Sequence, residues 1–106
     1  MSYWLRITPE AKEFLKDLKK SPARQGLWDQ TKKALHNLET NPRHSGLRTH
    51  KFDSMKGPRG EQMFTAYIQN NTPSAHRIFF YYGKDSRVKD GKPLSEMVIF
   101  AITPHP

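Results

Sequence analysis

The 106-residue sequence predicts one α+β domain in the order β-α-α-β-β-β, with an N-terminal strand and a helical hairpin packed on one face of a small antiparallel sheet. Three observations predict it. Apolar residues recur at helical spacing through roughly the first forty positions. They recur at the two-residue spacing of strands through most of the remainder. No repeat, low-complexity tract or Gly/Ser-rich linker separates the two halves. Hydrophobic residues make up only 35% of the chain, so the two Trp, four Tyr and six Phe must supply much of the core, at about 150–250 Å² each.

Taken in order, Tyr3-Trp4-Leu5-Arg6-Ile7 alternates as a short strand. Thr8-Pro9 pairs a helix N-cap with proline at the first helical position. Ala11, Phe14, Leu15 and Leu18 then form one apolar helix face. Ser21-Pro22 repeats the start signal. A second helix turns Leu27, Thr31, Ala34, Leu35 and Leu38 inward and Lys32, Lys33 and Asn37 outward, until Asn41-Pro42 ends it. Residues 47–52 read as a strand or an extended lead-in, and residues 62–69 as a clear strand. Asn70-Asn71-Thr72-Pro73-Ser74 is a turn cluster, and residues 76–82 form the return strand of a hairpin. The polar stretch 83–94 reads as a solvent-exposed flap, and residues 96–102 as the closing strand. With both helices on one side, the opposite sheet face is expected to be partly bare.

Eighteen Lys and Arg against ten Asp and Glu give a net charge of +8, which suits a polyanionic partner, nucleic acid first. The absence of cysteine excludes disulfides and thiolate chemistry. No apolar run is long enough for a membrane span, and Arg6 interrupts the only N-terminal apolar stretch, so the reading is a cytoplasmic protein without a signal peptide. The five histidines show no metal-ligand spacing, and Gly57-Pro58-Arg59-Gly60 lacks the Lys-Ser/Thr of a phosphate-binding P-loop. Neither a metal nor a cofactor is expected.

The charge is concentrated. Residues 43–59 hold Arg43, Arg48, Lys51, Lys56 and Arg59 with His44 and His50, against the single acid Asp53. Such a segment can track a phosphate backbone. Arg77 shares a strand face with Phe79 and Tyr81. A guanidinium there must reach the sheet edge, pair with an acid such as Glu61, or face an open groove, where its fixed fork suits a phosphate. His105 follows the last strand between Pro104 and Pro106, a restricted position for a ring suited to proton transfer near neutral pH. His36, on the second helix, reads as structural or solvent-facing.

Several blocks in this order resemble the RelE/ParE toxin superfamily, the small basic toxins of bacterial toxin–antitoxin pairs. They are Leu47…Thr49-His50-Lys51, Gly57-Pro58…Gly60-Glu61, Ala66-Tyr67…Asn70…Thr72-Pro73, Arg77-Ile78-Phe79 and the final Ala101-Ile102-Thr103-Pro104-His105-Pro106. The resemblance covers nearly the whole chain and implies a RelE-like fold. It also implies an mRNA-cleaving, ribosome-dependent endoribonuclease that needs no metal and is held by an antitoxin with an acidic segment, as a homo- or hetero-oligomer. The alternative is a toxin-fold binding module, either gyrase-poisoning and ParE-like or an inactive member held by its antitoxin. The resemblance assigns Arg77 to the family's arginine in the penultimate strand and His105 to its C-terminal histidine or tyrosine. Lys51 takes the basic position before the second strand, with Lys56 and Arg59 as competitors. Glu61 is the candidate carboxylate base. For RNA cleavage by its own 2′-hydroxyl, Glu61 or His50 is then the base, Arg77 and Lys51 hold the phosphate, and His105 is the acid. Arg43, Arg48, Lys56 and Arg59 would guide the strand, and Tyr67 or Tyr81 would stack a base.

Overall fold

The computed structural model describes residues 3–68 and 75–104. Its elements run β1 (Tyr3–Ile7), α1 (Pro9–Lys19), α2 (Gln25–Thr40), β2 (His50–Lys56), β3 (Gln62–Tyr67), β4 (His76–Lys89) and β5 (Lys92–Pro104), with short 3₁₀ turns at Pro22–Arg24 and Ser45–Leu47. Four strands follow the helices, one more than expected, because residues 50–56 form a full edge strand. The sheet order is β1-β5-β4-β3-β2. β2 to β5 are successively antiparallel, whereas β1 runs parallel to β5, so the sheet is mixed and not purely antiparallel. Topology explains this. Three hairpins in succession leave free edges only at β2 and β5, and β1 takes the second.

The helix-side core joins Ala11, Ala34 and Leu38 to Ala66, Ile78, Phe80, Met97, Ile99 and Ile102 of the sheet. Full burial of side chains such as Leu38 or Phe80 contributes about 1.5–3 kcal/mol each. Thr8 sets how α1 meets this sheet. Its hydroxyl accepts from the Ala11 N–H at 3.4 Å as an N-cap and donates to the Phe100 carbonyl at 2.7 Å. Its own N–H donates to the Ile99 carbonyl at 3.1 Å. Phe100 is the extra residue of a bulge, since Phe79 faces Ala101 while Phe80 faces Ile99. The bulge lets both Ile99 and Ile102 point toward the helices. Ser21, by contrast, makes no capping bond, and the chain reaches α2 through the 3₁₀ turn.

The opposite face is not bare along its middle. Met63, Phe79, Tyr81 and Val98 are buried there, packed against Phe52 and Phe100. Beside them Arg6 Nε donates to the Glu96 carboxylate at 2.9 Å, and Glu96 is only 3% exposed.

Residues 83–94 do not form a flap. They extend β4 and β5 into a long hairpin paired from Ser86↔Ser95 to Lys89↔Lys92. Its two-residue turn is Asp90-Gly91, both at positive φ (53° and 76°), the geometry whose twist matches that of the strands. Arg87 lies 3.6 Å from the Trp4 ring and fastens the hairpin to β1. A Cβ at Gly83 would overlap the Glu96 carboxylate, so any other residue there forces that carboxylate to move.

Gly83→Ala is therefore expected to displace Glu96 from Arg6 and to cost about 1–3 kcal/mol in urea unfolding. An unchanged midpoint would show that the Arg6–Glu96 pair does not depend on that glycine.

Candidate functional site

The register of β2, β3 and β4 assembles one polar cluster at the end of the open face. His50 faces Thr65 across β2–β3, and Tyr67 faces Arg77 across β3–β4. The Arg77 guanidinium carbon lies 3.8 Å from the centre of the Tyr67 ring, stacking range for a planar cation on a π-face. Arg48 approaches the same ring at 6.0 Å, and the His50 ring meets it edge-on at 6.1 Å. Arg77 is half-buried, and its Nε is enclosed with no hydrogen-bond partner among the described residues. An enclosed guanidinium N–H left unmatched is costly, and it is the part of Arg77 that stays exposed that an anion can reach.

The neighbouring histidines are held in opposite tautomers. His50 Nδ1 lies 2.9 Å from the Arg48 carbonyl. A carbonyl only accepts, so Nδ1 carries the proton, and Nε2 takes the Thr65 hydroxyl at 3.2 Å through its lone pair. His44 is the reverse. Its Nδ1 accepts from the Gly46 N–H at 3.1 Å and caps the Ser45–Leu47 turn, which leaves the proton of the neutral ring on Nε2. Arg48 closes that turn in the left-handed region (φ 46°), a rare place for a side-chain-bearing residue. Thr49 ties the loop down by donating to the Pro42 carbonyl at 2.9 Å.

Of the residues expected in the site, Arg77, His50, Tyr67 and Arg48 come together. Lys51 does not join them. It pairs with Phe64 on the helix side of the sheet, as alternation along β2 requires, and there it lines a cavity with Arg43. Glu61, Lys56 and Arg59 lie at the far end of the β2–β3 hairpin, with Glu61 six residues or about 20 Å along the strand from Tyr67. The suggested Glu61–Arg77 pair therefore does not form. Glu61 instead accepts from the Arg59 N–H at 2.7 Å. Bonds from its own backbone N–H and then from that of Arg59 hold its carboxyl below the usual carboxylate range. Tyr81 is 5% exposed, packed against Val98 and Phe100, and cannot present a ring for stacking. His105 and Pro106, and the turn expected at residues 70–74, lie outside the described residues.

Thr65 escaped sequence reading. Only the β2–β3 register, fifteen residues across the hairpin turn, reveals that its buried hydroxyl orients His50. Among the described residues the ion pairs are Arg6–Glu96 and Lys32–Asp29, so none of the cations from Arg43 to Arg59, nor Arg77, is neutralised by an acid. No group of three His, Asp or Glu side chains gathers to hold a metal ion among the described residues, and no described helix is long and apolar enough to cross a membrane.

The tautomers are directly measurable. In alkaline solution, long-range ¹⁵N–¹H spectra should show the proton on Nδ1 of His50 and on Nε2 of His44. The same tautomer at both would contradict the hydrogen bonding described. The turn at Glu61 has its own pH signature. Because the folded state holds this carboxyl below its ordinary range, the contribution is complete at neutral pH and lost as pH falls through the depressed value. An acid titration by NMR should find Glu61 protonating below the ordinary range of a glutamate carboxyl, and a midpoint within that range would contradict the backbone bonding described.

Compared with known proteins, the chain matches no family model, no curated protein and no solved structure.

Proposed function

We propose that this protein is a metal-independent endoribonuclease of the RelE/ParE toxin type, acting in the cytoplasm on mRNA at the ribosome and held in check by an antitoxin. The observation that carries the reading is Arg77, stacked on Tyr67 with an enclosed Nε lacking a protein partner among the described residues, beside a histidine whose lone pair is directed by its backbone. An RNA phosphate would meet the part of Arg77 that stays exposed. A guanidinium fixed in place before the substrate arrives stabilises the crowded phosphorane without having to reorganise.

The base is His50, since Glu61 lies about 20 Å away along the strand. Nε2 of His50 accepts the proton of the ribose 2′-hydroxyl, taking over from the Thr65 hydroxyl. The 2′-oxygen attacks phosphorus, the bond from phosphorus to the 5′-oxygen breaks, and that oxygen leaves with a proton. Sequence resemblance assigns the donation to His105. The products are a 2′,3′-cyclic phosphate and a free 5′-hydroxyl. Thr65 acts as a positioning residue, and Arg48 adds charge over the same ring.

A second reading keeps the face and removes the cleavage. The unneutralised cations Arg43, Arg48, Lys51 and Arg77 suit an acidic protein equally, either an antitoxin segment or a gyrase surface. The dispersal of Lys51 and Glu61 away from Arg77 favours it, because fewer groups then share the chemistry.

Mapping RNA ends after induced expression separates the two. Discrete cuts bearing 2′,3′-cyclic phosphates are expected, reduced about 100-fold or more by Arg77→Ala and by His50→Ala, a magnitude usual for loss of one electrostatic or acid–base group. Arg59→Ala should cut normally. Growth arrest with intact message would overturn the nuclease reading and support the binding module.

A further inference from the structure

On the helix side of β2, bordering the Arg77 cluster at Arg48 and His50, lies a cavity of about 540 Å³, within the range of about 300–1,000 Å³ of small-molecule sites. Its aromatic wall is Phe64 and Tyr82, and its cationic rim includes Arg43, Arg48, His50 and Lys51. No acidic side chain lines it among the described residues. Tyr82 is 37% exposed, unusual for a tyrosine flanked by Tyr3 at 5.6 Å and Phe64 at 5.3 Å between ring centres. Arg43 reaches the same ring electrostatically. Burial, then the Tyr3 hydroxyl, push the Tyr82 phenol up, and the Arg43 charge draws it back. The rim is held in shape before any ligand arrives, by the Thr49 bond to Pro42, the His44 cap and the His50 bond to Arg48.

Aromatic rings beside several unpaired cations match two halves of one ligand class. We infer that this cavity binds a nucleoside phosphate, with its base against Tyr82 and Phe64 and its phosphate between Arg43 and Lys51. Stacking tolerates any base, so the site selects for a base joined to a phosphate and not for one sequence. The ligand is either a free nucleotide or one residue of an RNA strand. Arg48 and His50 touch both this cavity and the Tyr67 cluster, so a strand crossing the β2 edge would meet cations on both sides. The site rests on the cavity alone and does not require that the chain cut RNA.

The test is an NMR titration of the whole chain with adenosine 5′-monophosphate, ribose 5-phosphate and a short single-stranded RNA. Adenosine monophosphate should shift the amides of Lys51, Phe64 and Tyr82 and bind at least about fivefold more tightly than ribose phosphate, the low end of one stacking contact. Lys51→Glu and Arg43→Glu, both at exposed positions and checked for an intact spectrum, should each weaken it about tenfold. Tighter binding of RNA at the same amides identifies the polymer as the natural source, and equal affinity identifies the free nucleotide. Equal binding of ribose phosphate and adenosine monophosphate, or shifts that bypass Phe64 and Tyr82, would overturn the inference. Loss of RNA cutting with nucleotide binding intact would leave it standing and remove the nuclease reading instead.

Discussion

The constraint on which the rest of this molecule depends is that β4 is buried on both faces from Ile78 to Tyr81. Ile78 and Phe80 pack toward the helices, and Phe79 and Tyr81 pack into a second cluster on the other side. A central strand of this kind has no solvent into which to release a charged side chain. Arg77, one residue before this run, is therefore placed over the ring of its cross-strand neighbour Tyr67. The stack solves the problem of placing the charge without supplying an acid. An arginine neutralised by a carboxylate would be a structural strut, as Arg6 is with Glu96. An arginine over an aromatic ring keeps its full charge.

The two arginines show how one sheet separates stability from function. Arg6 and Glu96 sit at one end of the open face, with Gly83 clearing space for the carboxylate and Arg87 stacked on Trp4 nearby. Those contacts complete one another. At the other end Arg77, Arg48, Tyr67, His50 and Thr65 leave an enclosed N–H and a set of cations unmatched by acids among the described residues. Between the ends lies an apolar band of Met63, Phe79 and Val98. The band holds the two ends apart, so charge at one does not neutralise charge at the other.

Much of the fold was legible wherever the signal was local. Thr8-Pro9 marked the start of α1 because a hydroxyl cap and a proline without an N–H suit the first helical turn, and the Thr8 bond to Ala11 follows. The Asp90-Gly91 hairpin was equally local. The polarity of residues 83–94 masks it, because the turn signature occupies only two residues. The parallel β1–β5 pairing joins residues more than ninety positions apart and leaves no local trace. In the site, alternation correctly put Arg77 on the face of Phe79 and Tyr81. The partition of His50 from Lys51 follows from the same alternation, but it becomes visible only once the edge strand is known to begin at His50. Glu61 was drawn toward Arg77 by chemistry, whereas the β2–β3 turn claims its carboxylate for the backbone of Arg59.

The central claim is that the Arg77 guanidinium receives an RNA phosphate. It is tested most directly by observing the Arg77 Nε–H by NMR while adding an oligoribonucleotide whose reactive 2′-hydroxyl is replaced by hydrogen. Binding without cleavage should shift that resonance, slow its exchange with water and produce a coupling to phosphorus. If the oligonucleotide binds and the Arg77 Nε–H resonance stays where it was, the phosphate is held elsewhere and the Arg77–Tyr67 stack is only structural.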